Sequence, residues 1–179
     1  MLVLPILAAL GCEPLSATRE GRDDAVRYQL PPNAIAILED ADSLELFALG
    51  DEPRGDGEAP SASELFARRP VLGRAQVHPD EHRFVAAALY RAISRGSGQA
   101  LCFEPHHGLR ARLGRDVLEL AICYSCWQME IVGHDGPNVA LATSELEGVI
   151  DPIIERSAGL RFERDSEHSH GSWVARNAD

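Results

Sequence analysis

Residues 107–132 read HGLRARLGRDVLELAICYSCWQMEIV, and the alternation inside that stretch decides the fold class. Leu109, Ala111 and Leu113 alternate with Arg110 and Arg112, the period of a half-buried strand. Gly114-Arg115 makes a two-residue hairpin turn. In that register Arg110 faces Glu119 and Leu109 faces Leu120, an opposite-charge pair and an apolar pair that both favour it. The run from Asp116 to Val132 is too long for one strand, since strands usually have about 3–10 residues. Its apolar phase also slips. Leu118, Leu120, Ile122 and Tyr124 hold one phase, and Trp127, Met129 and Ile131 hold the other. Such a slip needs a bulge or a tight turn near Tyr124 to Trp127. Cys123-Tyr124-Ser125-Cys126 lies on that break. Two cysteines three apart point to opposite faces of a straight strand, but on a turn they converge.

Outward from the hairpin, punctuation residues divide the chain. Pro31-Pro32 opens a short helix over Ala34–Ala41, and Ser43–Leu49 reads as a strand with Leu44, Leu46 and Ala48 on one face. Gly50–Ser63 is rich in Gly, Pro, Ser and acid and reads as a loop; its Arg54-Gly55-Asp56 is taken as a chance tripeptide. Val71–Val77 is a second strand. Pro79 opens a helix whose Asp80 and Glu81 suit its positive end, with Val85, Leu89, Ala92 and Ile93 at helical spacing. Gly96-Ser97-Gly98 ends it. Leu146, Val149, Ile150, Ile153 and Ile154 mark a last helix, with Ser144 and Glu147 as a capping box. Pro152 either kinks it or starts a second helix capped by Asp151. The expected fold is α+β: an antiparallel sheet of about four to five strands with helices packed on one face. The expected divisions are a lipoprotein-type signal over 1–12, a tether over 13–30, the domain over 31–162 and a disordered tail over 163–179.

A length of 179 residues fits one domain, and 45% hydrophobic residues suffice for an ordinary core. The net charge of −11 argues against nucleic acid and against an anionic lipid surface, since both select basic patches. All 17 basic residues are arginine, which is read as base composition. After the first dozen residues no stretch approaches the roughly 20 apolar residues of a membrane span.

The first residues, MLVLPILAALG followed by Cys12, have the length of a signal's apolar region. Ala9-Leu10-Gly11-Cys12 resembles a bacterial lipobox, in which cleavage before the cysteine leaves it to carry lipid. That implies a membrane partner through a lipid anchor on Cys12 and a place in the bacterial cell envelope. Leu10 and the absence of a basic residue before Arg19 depart from the usual signal. The alternatives are a buried N-terminal element with Cys12 as a core thiol in a cytoplasmic protein, or simple cleavable secretion.

The concentrated chemistry is Cys102, His106, His107, Cys123 and Cys126. The hairpin register puts His106 opposite Cys123, in the phase of Cys102, and turns His107 to the core. Three cysteines and one histidine would supply a tetrahedral set for one zinc ion. A disulfide joining Cys102 to Cys123 or Cys126 suits an exported protein. A redox role for the C-x-x-C pair is the third reading, although such pairs favour a helix N-terminus. The fourth is that the cysteines are small buried residues. His168 and His170 lie in the polar tail, and the acidic stretch Glu39–Glu64 lacks the spacing of a calcium loop.

The runs Leu101–Arg110 and Ile122–Cys126 resemble an uncharacterised group of bacterial lipoproteins that carry C-F-x-P-x-H-G and I-C-x-x-C. Pro70-Val71-Leu72-Gly73 and the helix at Pro79–Arg95 are similar too, so the resemblance spans roughly residues 34–159. It implies an exported protein and no particular reaction. It also places His107, not His106, at the P-x-H-G position. No G-x-S-x-G elbow, phosphate-cradling glycine loop or H-E-x-x-H is present. The expected function is thus a membrane-tethered binding or structural module with a Cys/His site, its protein or small-molecule partner unknown. The alternative is a thiol-dependent redox enzyme using Cys123 and Cys126.

Overall fold

A computed structural model describes residues 30–51, 65–95, 103–133, 139–140, 143–164 and 173–177. The elements are α1 (Pro32–Glu39), β1 (Ser43–Leu49), β2 (Leu65–Phe66), β3 (Arg69–Gln76), α2 (Pro79–Arg95), β4 (His107–Leu113), β5 (Asp116–Cys123), β6 (Gln128–Ile131), β7 (Val139–Ala140), α3 (Thr143–Ala158), β8 (Leu160–Arg164) and β9 (Trp173–Asn177). The class is α+β, as expected, with every strand pairing antiparallel.

The strand count differs from the expected four to five. The main sheet has seven strands in the order β2-β3-β1-β4-β5-β6-β7, and β8 and β9 form a second ribbon. The surplus comes from β2 and β7, each of two residues, too short for any periodicity to register. Trp173–Asn177 fall within the stretch expected to be a polar tail, and they pair with β8.

The β4–β5 hairpin has the register its sequence implies: Arg110↔Glu119 and Leu109↔Leu120. Gly114 takes φ +58° in the turn, and its N–H donates to Asp42 Oδ2 at 2.6 Å. The slip after Cys123 is a reversal: β5 ends there, residues 124–127 turn, and β6 returns with Cys123↔Gln128.

β1 lies between β3 and β4 and sorts the sheet into two faces. Leu44, Leu46 and Ala48 meet Leu109, Ala111, Leu120 and Ile122 in one buried core. Ile37 and Leu38 of α1, Val85, Leu89 and Ile93 of α2, and Leu146, Ile150 and Ile154 of α3 fill the same core. The alternate residues Phe47 and Leu49 belong to a smaller cluster on the far face, with Phe66 and Ala121. α3 is continuous through Pro152, so Asp151 is an interior residue and not the cap of a second helix.

Two glycines permit close layers. A Cβ on Gly108 would come within 2.7 Å of the Phe66 ring, and one on Gly73 within 2.8 Å of the Ala158 Cβ. The β2–β3 turn has φ +49° at Ala67 and +66° at Arg68, left-handed conformations that cost non-glycine residues about 1–2 kcal/mol each.

Candidate functional site

His106, just before β4, and His107, its first residue, point to opposite sides of the sheet. The His106 N–H donates to the Ile122 carbonyl, and Leu49 N–H donates to the His106 carbonyl, so the backbone there is fixed between β1 and β5. His107 pairs with Ala48 on one side and Ile122 on the other, both core residues, and is fully buried. The sequence placed His107 toward the core, and the structure agrees. One ion cannot draw on both imidazoles together with the cysteine turn.

His107 is packed between aromatic rings, with centroids 4.6 Å from Tyr124 and 4.5 Å from Phe162. Its Nε2 lies 3.0 Å from Asp151 Oδ1 of α3. That approach falls outside hydrogen-bonding alignment, and the two atoms, His107 Nδ1 and the Tyr124 hydroxyl have no hydrogen-bond partner among the described residues. Burial, then Asp151 and Glu147, hold the Tyr124 phenol well above its ordinary pKa. Asp151 was not legible as a partner of His107. It lies 44 positions away in the chain, and Pro152 beside it suggested a cap.

On the far face, Cys123 and Cys126 are joined by a disulfide, with Cα atoms 5.2 Å apart, and both residues are buried. The turn makes this possible. Trp127 takes φ +52°, and its N–H closes the turn onto the Tyr124 carbonyl. The sulfurs also accept backbone hydrogen bonds: Cys126 N–H to Cys123 Sγ at 3.2 Å, and Glu104 N–H to Cys126 Sγ at 3.4 Å. This is a pairing within the C-x-x-C and not one of the Cys102 pairings that the sequence suggested as a structural staple. While bonded, neither sulfur is the thiolate that zinc requires. Cys102 and Cys12 lie outside the described residues, among which no three His, Cys, Asp or Glu side chains are gathered for a metal ion.

His106 is largely buried on the far side. Its Nε2 is 3.8 Å from Asp51 Oδ1. Burial holds its imidazole below the ordinary range; the charges of His107 and Arg69 act in the same direction, and Asp51 and Glu104 oppose them.

The sequence reading missed a cavity of about 290 Å³ beside the far-face cluster. Ala67, Arg68, Arg69, Phe103, Pro105, Glu130, Val132 and Gly133 line it. The disulfide touches its wall, because the Glu104 N–H held by Cys126 Sγ lies between Phe103 and Pro105. The only cue in the sequence was Phe103 and Pro105 flanking the Cys/His run. Arg68 and Arg69 arrive from a turn whose sequence carries no turn signal. Comparison with family models, with curated proteins and with solved structures returned no match.

Proposed function

We propose that this chain is an exported, lipid-anchored binding module of the bacterial cell envelope, held to the membrane through Cys12, with a disulfide-braced turn beside its ligand cavity. The Cys123–Cys126 disulfide is the observation that carries this reading. Disulfides persist in oxidising compartments and are rare in the cytosol. The lipobox-like Ala9-Leu10-Gly11-Cys12 supplies the anchor. The disulfide holds Glu104, and so keeps Phe103 and Pro105 in the cavity wall.

The test is the intact mass of the full chain from a bacterial envelope, without reductant or chelator, beside a Cys12→Ser variant. We expect a diacylglyceryl adduct that Cys12→Ser abolishes, and a peptide mass lower by two hydrogens. An unmodified, fully reduced chain starting at Met1 would overturn the reading. A mass higher by one zinc ion would return Cys102, Cys123, Cys126 and one histidine to the metal reading.

A second reading, a thiol-dependent redox enzyme, is favoured by the two backbone N–H groups on the sulfurs. Such donors would stabilise a thiolate once the bond is reduced. Burial of both cysteines and their place on a strand-to-strand turn weigh against it. Insulin reduction by the reduced protein, lost on Cys123→Ser, would decide for it.

A further inference from the structure

Arg69 differs from Arg110, another arginine of the far face, in what surrounds its side chain. Arg110 is held by Glu119 at 2.6 Å and Glu45 at 3.6 Å, and lies over the rings of Phe47 and Phe66. Arg69 is 9% exposed and lines the cavity; its backbone pairs with Phe66, and its guanidinium makes no hydrogen bond or ion pair with the described residues. Glu130 lines the same wall, and no ion pair joins it to Arg69 among the described residues. The guanidinium nitrogens of Arg69 are not among the sealed, unpartnered atoms, so an anion entering the cavity can reach a cation that no described carboxylate holds. The preceding turn points the same way. Ala67 and Arg68 are held in left-handed backbone, a strained arrangement of the kind that gathers at binding sites.

We propose that the far-face cavity binds a small organic monocarboxylate, with Arg69 as its anchor. The planar guanidinium matches a carboxylate through two parallel N–H···O bonds. Phe103, Pro105, Val132 and Ala67 offer apolar wall to a short hydrocarbon or aromatic body. At about 290 Å³ the space is at the small end of ligand pockets, which run from roughly 300 to 1,000 Å³. Two arginines, Arg68 and Arg69, and one carboxylate, Glu130, line the wall, so a single negative charge balances it and dicarboxylates and phosphate are disfavoured. The net charge of −11 adds to that exclusion.

This deepens the binding reading and does not depend on the lipid anchor. A chain that binds but carries no lipid leaves it standing, and a lipidated chain that does not bind overturns it alone.

The experiment is an NMR titration of the full chain with benzoate, butyrate, succinate and inorganic phosphate. Benzoate and butyrate should give saturable shifts at Phe103, Val132 and Gly133. Arg69→Gln should weaken them about tenfold or more, the loss typical of a charge-assisted pair. Arg69→Lys should recover part of the affinity, since it keeps the charge and loses the fork. Glu130→Gln, which leaves Arg69 in place, should raise succinate affinity several-fold; this variant carries the test if Arg69→Gln fails to fold. Absence of saturable shifts with both monocarboxylates would overturn the proposal. So would wild-type binding by a folded Arg69→Gln, or tighter binding of succinate or phosphate than of benzoate.

Discussion

The phenol of Tyr124 is buried in the core, and its hydroxyl has no hydrogen-bond partner among the described residues. A buried, unsatisfied hydroxyl costs roughly 1–3 kcal/mol, so Tyr124→Phe should leave stability unchanged or raise it by about 1 kcal/mol in urea denaturation. The same substitution should change the alkaline limb. The folded phenol titrates above its ordinary value of 10.0, so the unfolded chain gives up its proton first. Stability from this group is therefore lost as pH rises through 10 and beyond, and Tyr124→Phe should remove that loss. His106 acts at the other end. Its folded pKa lies below 6.5, so the unfolded chain takes up a proton first as pH falls. Its contribution is present above 6.5 and declines below it, and His106→Gln should flatten the fall in melting temperature there. The opposite facings of His106 and His107 were legible from the alternation of Leu109, Ala111 and Leu113. What surrounds each histidine was not, because Asp151, Phe162, Asp51 and Arg69 come from distant parts of the chain.

The β2–β3 turn is the least legible element, and its residues explain why. Two-residue turns with positive φ announce themselves through Asn-Gly or Asp-Gly, and here the pair is Ala67-Arg68. Ala67→Asn together with Arg68→Gly should relax the backbone and raise stability by about 1–2 kcal/mol, read by thermal denaturation. The hairpin at Gly114-Arg115 was legible because its glycine and its two flanking pairs agreed. At β4, Gly108 gives room to the Phe66 ring, and Gly108→Ala should cost about 1–3 kcal/mol by overpacking. The C-x-x-C turn was legible as a break in phase, but which sulfurs would join was not. That depends on the reversal, which brings the Cα atoms of Cys123 and Cys126 to 5.2 Å.

Across the molecule, long and strongly periodic segments were readable: α2 and the β4–β5 hairpin stand where their patterns put them. Short segments were not. β9 is five residues after a polar stretch, and its place depends on pairing with β8. The ribbon matters to the core, since Phe162 of β8 packs against His107. Truncation after Arg164 should therefore lower the melting temperature, with the largest loss of amide-exchange protection in β8. The main sheet has one further property. Each of its two borders is a stub of two residues, β2 on one side and β7 on the other. β2 covers only Arg69 and Pro70 of β3, so among the described residues no strand lies beside the outer N–H and C=O groups of residues 71–76. That open run is the place where a second chain could add a strand if the molecule were crowded.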